Sequence, residues 1–176
     1  VLKPTNFKED EILFRASKGS SLGIEVELGI VDRSTRELVT AASALLAELG
    51  TTHPGGAHPK AKHELFESTV EIITGVCQTV PEARADLEAT LQELTIAADA
   101  RGMALICSGT HPFSHWNAQT ISPPQRYHDL VGRIGWPARR LAIHGIHFHV
   151  GVRTAEHAIA IANSLAYHLP LFLALS

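Results

Sequence analysis

The segment SLGIEVELGIV, residues 21–31, constrains the fold most strongly because apolar residues occupy every second position along it. This period of two is typical of a β-strand with one face toward a core. The opposite face carries two carboxylates, Glu25 and Glu27, whose positions on a strand are about 6.5–7 Å apart. Two anions this close repel each other unless water or a divalent metal screens them. Water suffices on a solvated face and a metal would serve in a cleft, so this segment alone leaves both interpretations open.

The segment HELFESTVEIIT, residues 63–74, is the second candidate for such a strand. Its glutamates also fit a helical spacing, but its β-branched residues favour a strand over residues 66–74. Both interpretations place Glu67 and Glu71 on one side. A solvated face explains this pair equally well when it is taken by itself.

The segment IHGIHFHVGV, residues 143–152, has the same design with imidazoles in place of carboxylates. As a strand it points His147 and His149 to one face and its apolar residues to the other. Taken alone, this pair is also compatible with a structural or surface role.

Three strands that share this design predict a metal site if they belong to one sheet. Helices would cover the apolar face, and the acidic and imidazole side chains would line the other. Oxygen-rich sites with an occasional imidazole suit Mg²⁺ or Mn²⁺, and such ions commonly hold nucleotide phosphates. Zinc suits the pattern less well because no thiolate is near and the HExxH motif is absent. The chain also lacks the phosphate-binding motifs GxxxxGK[ST] and GxGxxG.

The remaining segments predict an α+β fold in which helices alternate with strands. Turn residues separate the elements, and a proline-rich segment after residue 108 is predicted to be a long, functional loop. The predicted elements are a hairpin return at 36–40, a strand at 103–109, and helices at 41–50, 81–101, 129–142 and 154–168. The helix at 129–142 is predicted to be interrupted near Gly135 and Pro137.

Composition limits the classes of function. The 176-residue chain has a net charge of −3, so no global basic field favours nucleic acid. No apolar run is long enough to span a bilayer, and the charged N-terminus does not resemble a signal peptide. The two cysteines form neither a disulfide framework nor a CxxC motif, which predicts a reducing, cytoplasmic location. The apolar C-terminal end predicts that residues 1–176 are the N-terminal part of a longer catalytic domain, and it could promote homo-oligomers.

Six motifs occur in the order and approximate spacing of the glutamate–cysteine ligase type 2 family: LGIEVEL, VEIITGVC, GTHPF, RYHDL, HGIHFHVGV and LPLFLALS. The chain most closely resembles the bacterial carboxylate–amine ligase branch of that family, from about Leu22 to Ser176. The resemblance implies a glutamine-synthetase-like catalytic fold, a curved and mostly antiparallel sheet with helices on its outer face. It also implies ATP- and Mg²⁺-dependent ligation, with glutamate as the expected carboxylate and cysteine as a candidate amine, through an acyl phosphate.

The resemblance also implies roles for particular residues. Glu25, Glu27, Glu71 and His147 match metal ligands of the family, and Glu67 is expected to orient the metal site or an ammonium group. Arg126 is expected to contact a substrate carboxylate or phosphate, since its guanidinium suits both. His149 is expected either to bind nucleotide or to support His147.

Two alternatives remain open from the sequence. A metal-dependent hydrolase could use the same acidic face to activate water. A binding fragment could retain the sheet without a complete active site. The remaining acidic ligand and the arginines that clamp the triphosphate in the family match nothing in this chain, so we expect it to be inactive as a ligase on its own.

Overall fold

The fold is described by a computed structural model that covers residues 14–175. The charged N-terminal segment, on which the expectation of no signal peptide rests, lies outside the described residues apart from its last position. Among the described residues the chain divides into two compact units, residues 22–149 and a smaller unit of residues 14–21 with 150–175. The larger unit holds all the side chains for which a functional role is predicted.

A mostly antiparallel sheet of five strands organises the fold. β1 pairs antiparallel with β3 on one side and β4 on the other, β2 extends the sheet beyond β3, and β5 also pairs with β1. The strands are β1 (Ser21–Asp32), β2 (Ala61–His63), β3 (Thr69–Ile73), β4 (Met103–Ile106) and β5 (Ile146–Gly151). The predicted α+β class and the antiparallel character of the sheet are therefore confirmed.

Six α-helices accompany the strands in the described residues. They are α1 (Ala42–Gly50), α2 (Val80–Asp99), α3 (Gln125–Ile134), α4 (Trp136–Arg139), α5 (Ala155–Ala166) and α6 (Leu169–Leu175). The sequence predicted α1 and α2 to within two residues. The Thr79 side chain caps α2 by accepting a hydrogen bond from the backbone N–H of Glu82, as expected for a threonine before an acidic first turn.

The hydrophobic core lies between the sheet and helices α1 and α2. Leu28 and Ile30 of β1 pack with Val70 and Ile72 of β3 against the apolar faces of both helices. Leu45 of α1 is fully buried in this cluster, as is Leu94 of α2. The apolar alternation of β1 and β3 is thus explained by burial on one face, which leaves Glu25, Glu27 and Glu71 on the other.

The strand predicted over residues 66–74 is shorter than expected. β3 begins at Thr69, whose backbone N–H donates to the carbonyl of Phe66 and closes a turn before the strand. Glu67 lies in that turn and directs its carboxylate to Ser43 in the first turn of α1. The prediction that Glu67 and Glu71 share a face is therefore wrong, because the turn interrupts the period of two.

Other boundaries also differ from the predictions. The hairpin return after β1 forms only an isolated bridge between Val31 and Leu38, and α3 begins four residues earlier than expected. In the smaller unit, Thr154 caps α5 as predicted, but the helix ends at Ala166 and α6 follows. Within residues 14–175 no single helix is long and apolar enough to cross a membrane; α5 and α6 reach that length only together, with a bend of 60° between them.

Candidate functional site

Glu27 of β1 and Glu71 of β3 stand directly opposite each other in the antiparallel ladder. The backbone N–H of Glu27 points away from β3 and donates to the carbonyl of Gly145, 3.0 Å away. The Glu27–Glu71 pair is therefore the non-hydrogen-bonded kind, in which the Cα atoms lie about 4.5 Å apart and the side chains are closest. Like charges directly opposite each other destabilise a sheet.

Glu64 adds a third carboxylate to this pair. One carboxylate oxygen each of Glu27, Glu64 and Glu71 lies within 4.8 Å of the other two, and all three side chains are half-buried. Burial raises the pKa of Glu64 and of Glu71, and the charges of neighbouring glutamates raise both pKa values further. We call these three residues the carboxylate cluster. Its chemistry fits a hard divalent cation such as Mg²⁺, which prefers oxygen ligands and would relieve the mutual repulsion.

Two imidazoles approach β1 from β5. His147 Nδ1 lies 3.0 Å from Glu25 Oε2, and His149 Nε2 lies 3.3 Å from the same oxygen. The hydrogen bond to Glu25 raises the pKa of His147, and the same bond lowers the pKa of Glu25. Glu25 is thus engaged with the two histidines, and it is not a member of the carboxylate cluster.

A pocket of about 220 Å³ opens beside the carboxylate cluster. Glu27, Glu64 and His147 supply its polar wall, and apolar side chains from the 64–66 segment, α3 and the chain before β5 supply the rest. Gly145 also lines the pocket, and its backbone N–H donates to Glu27 Oε2 at 2.8 Å. This bond orients the Glu27 carboxylate. The pocket can therefore hold a cation together with a small polar ligand.

Comparison with known proteins places the sequence in a family. The sequence profile of glutamate-cysteine ligase family 2 matches residues 21–176, which is most of the chain. The chain belongs to this family. The resemblance seen in the six motifs is confirmed.

Curated relatives in the family are 39% to 51% identical to the chain over the aligned residues. A protein of Frankia casuarinae named "Putative glutamate--cysteine ligase 2-1" is 51% identical over 94% of this chain and 44% of its own length. "Putative glutamate--cysteine ligase 2" of Thermobifida fusca is 46% identical over 94% of this chain and 41% of its own length. The protein of the same name in Mycobacterium tuberculosis is 39% identical over 98% of this chain and 44% of its own length. The chain thus spans less than half the length of these relatives.

The structure brings together most of the residues that the family resemblance predicted. Glu27 and Glu71 meet in the carboxylate cluster, and Glu25, His147 and His149 meet beside it on β1 and β5. Their assignment as metal ligands, and of His149 as a nucleotide contact, stays a prediction. In this geometry His147 reaches the pocket while it is hydrogen-bonded to Glu25.

Glu67 and Arg126 lie outside the carboxylate cluster. The Glu67 side chain is buried and accepts hydrogen bonds from the hydroxyl and the backbone N–H of Ser43. The Arg126 guanidinium donates to the hydroxyl of Tyr127, which in turn donates to the carbonyl of His63 at 2.6 Å. Burial raises the pKa of Glu64, and the positive charge of Arg126 acts in the opposite direction. Arg126 is thus close enough to influence the cluster, and the roles expected for both residues stay predictions.

Glu64 was not among the predicted site residues. It lies seven positions before Glu71, a spacing that in a continuous strand would put the two side chains on opposite faces. The turn between β2 and β3 removes that constraint and brings Glu64 beside Glu71. The one indication in the sequence was that Glu64 is a third glutamate close to Glu67 and Glu71.

Proposed function

We propose that the chain forms part of the active site of an ATP-dependent carboxylate–amine ligase and that the carboxylate cluster binds Mg²⁺ or Mn²⁺ there. The close approach of Glu27, Glu64 and Glu71 in a half-buried face carries this proposal. Membership of glutamate-cysteine ligase family 2 supports ligation as the type of reaction. Glutamate and cysteine are the expected substrates because the relatives are named for them.

The proposed reaction has two steps. A carboxylate oxygen of the first substrate attacks the γ-phosphorus of ATP, and the bond to ADP breaks to leave an acyl phosphate. The amine then attacks the acyl carbon, phosphate leaves, and the nitrogen loses a proton to give the amide. A divalent ion bound by the carboxylate cluster would neutralise phosphate charge during the first step.

The side chains of this chain contribute mainly position and charge. The backbone N–H of Gly145 holds the Glu27 carboxylate toward the pocket, and Glu25 holds His147 at the pocket wall. Burial raises the pKa values of Glu64 and Glu71, and the positive charges of Arg126 and Lys62 offset only part of that rise. A bound cation would lower these pKa values and keep all three groups ionised.

The 176-residue chain carries only part of the active site in this proposal, because its relatives are more than twice as long. We expect Mn²⁺, a spectroscopic substitute for Mg²⁺, to bind the chain, and we expect ligation only from a polypeptide of the relatives' full length. In such a polypeptide, ADP release should require both a carboxylate and an amine. ADP release with neither acceptor would indicate a hydrolase instead.

The metal site is tested by Mn²⁺ titration of the chain, followed by electron paramagnetic resonance. Glu71→Gln and Glu64→Gln should each weaken Mn²⁺ binding by about tenfold or more, since each removes a direct ligand. Glu37→Gln is the matched control, because Glu37 is an exposed residue whose side chain accepts no hydrogen bond recorded in the described structure. Equal Mn²⁺ affinity in all four proteins would refute the proposed metal site.

A further inference from the structure

A second group of metal-ligating side chains lies on a different part of the larger unit. His53 and His58 belong to the loop between α1 and β2, and Glu93 belongs to α2. One ligand atom from each residue lies within 4.8 Å of the other two. None of these residues belongs to the carboxylate cluster or lines the pocket beside it.

His53 has a hydrogen bond at one ring nitrogen that leaves the other nitrogen as a candidate metal ligand. Its Nδ1 lies 3.0 Å from the backbone carbonyl of Leu49, which can only accept a hydrogen bond. The ring proton therefore sits on Nδ1, and Nε2 retains its lone pair. A backbone carbonyl bound to the far nitrogen is the usual support for a metal-bound histidine.

His58 is held in place by packing and by two polar contacts. Only 3% of its side chain is exposed, and its Nε2 lies 3.6 Å from a carboxylate oxygen of Glu93. Its Nδ1 accepts a hydrogen bond from the backbone N–H of Lys60, so the neutral ring carries its proton on Nε2. Its ring meets the ring of His53 edge-on, with 4.3 Å between the centroids. Burial lowers the pKa of His58, which favours the neutral form of the ring.

We propose that His53, His58 and Glu93 bind a single borderline transition-metal ion, with Zn²⁺ as the preferred ion, and so tie the loop after α1 to α2. Two imidazoles and one carboxylate form a ligand set that zinc accepts, with water in the fourth position. Hard ions such as Mg²⁺ prefer an all-oxygen set, so they should favour the carboxylate cluster instead.

Metal binding requires one rearrangement within the site. The proton of His58 must move from Nε2 to Nδ1, so that Nε2 can bind the ion through its lone pair. The Lys60 N–H then loses its acceptor, because Nδ1 becomes a donor, and that amide must turn to water. His53 needs no such change. We therefore expect metal binding to slow the hydrogen exchange of nearby backbone amides, with the Lys60 amide as the exception.

The test is a Zn²⁺ titration of the 176-residue chain by calorimetry, with thermal unfolding as the second measurement. Other histidines and the carboxylate cluster could also bind zinc, so the titration is made in a Glu71→Gln/His149→Gln background. We expect one site per chain and a rise in the unfolding midpoint with Zn²⁺, because a ligand that binds only the folded state stabilises it. Substitution of Co²⁺ for Zn²⁺ should give the visible absorption of a tetrahedral site.

Variants at half-buried His53 and exposed Glu93 avoid the folding problem that a change at buried His58 would raise. His53→Gln and Glu93→Gln should each weaken Zn²⁺ binding at least about tenfold and remove the rise in midpoint. Glu88→Gln on the same helix and His128→Gln on α3 are the controls and should leave binding unchanged. Absence of Zn²⁺ binding in the background protein, or equal affinity in the His53 and Glu93 variants, would overturn this proposal. The carboxylate cluster would be unaffected by that result.

Discussion

Glu27 and Glu71 form a directly opposed, non-hydrogen-bonded pair between β1 and β3, the arrangement that brings two side chains of a sheet closest together. Both carboxylates are half-buried, and Glu64 lies against them. The apolar side of the same strands packs in the core, which holds the two acidic positions in this register. Core packing thus stabilises the sheet and forces the carboxylates together.

The first prediction is that Glu71→Gln stabilises the metal-free chain. Removing one of two opposed like charges should raise the free energy of unfolding at pH 7 by about 0.5–1 kcal/mol. The same change should abolish stabilisation by Mg²⁺ or Mn²⁺. Urea unfolding with and without metal measures both effects, and Glu37→Gln should change neither. A Glu71→Gln variant that is less stable without metal would show that the repulsion is already screened.

The second prediction concerns the pH dependence of that stability difference. Burial raises the pKa of Glu71 above its ordinary value of 4.5, so the folded chain takes up a proton more readily than the unfolded chain. The ionised Glu71 carboxylate therefore lowers the free energy of unfolding of the wild-type chain at high pH. This loss disappears as the pH falls through the raised pKa. The advantage of Glu71→Gln should shrink over the same range. Paired urea titrations between pH 7 and pH 4.5 test this, and a constant difference would contradict it.

The third prediction is that Glu67 stabilises the start of α1. The helix has no side-chain cap of its own at Ala41, and the Glu67 carboxylate and carbonyl accept hydrogen bonds from its first backbone N–H groups. Glu67→Ala should lower the free energy of unfolding by about 1–2 kcal/mol, as loss of a helix cap does. Chemical unfolding of the metal-free chain measures the loss.

Glu67→Gln serves as the intermediate variant, since an amide oxygen can still accept a hydrogen bond from Ser43. If Glu67 instead contacts the metal site in the full-length enzyme, Mn²⁺ affinity should fall with the alanine change. Unaltered stability together with weakened Mn²⁺ binding would favour the family-derived role over the capping role.

The fourth prediction compares two helical glycines, Gly50 and Gly132, which differ in the space available for a Cβ atom. A Cβ on Gly50 would lie 2.2 Å from the carbonyl oxygen of Gly56, so the backbone of the following loop would have to move. Gly50→Ala should therefore destabilise the chain by about 1–3 kcal/mol. A Cβ on Gly132 in α3 meets no atom within 4 Å, so Gly132→Ala should stabilise the chain by about 0.5–1 kcal/mol. Thermal unfolding compares the pair directly, and shifts of the same sign would contradict the structure.

Sequence alternation was sufficient to predict the faces of β1 and β5. A period of two depends only on the local geometry of an extended backbone, so Glu25 with Glu27, and His147 with His149, could be assigned to one face each. Motif order was sufficient to predict the family, because the sequence carries those motifs directly. The extent of α2 followed from its apolar repeat and from Glu82 in its first turn, and that of α1 from Gly50 at its end.

Only the tertiary structure decided which carboxylates meet. Glu64 joins Glu71, and Glu67 turns to Ser43, because a turn between β2 and β3 breaks the alternation at residues 64–68. The opposition of Glu27 and Glu71 likewise depends on strand register, which long-range packing sets. A local pattern predicts which face of a strand a side chain occupies. The residues around that side chain come from distant segments, so they depend on tertiary contacts that local periodicity does not predict.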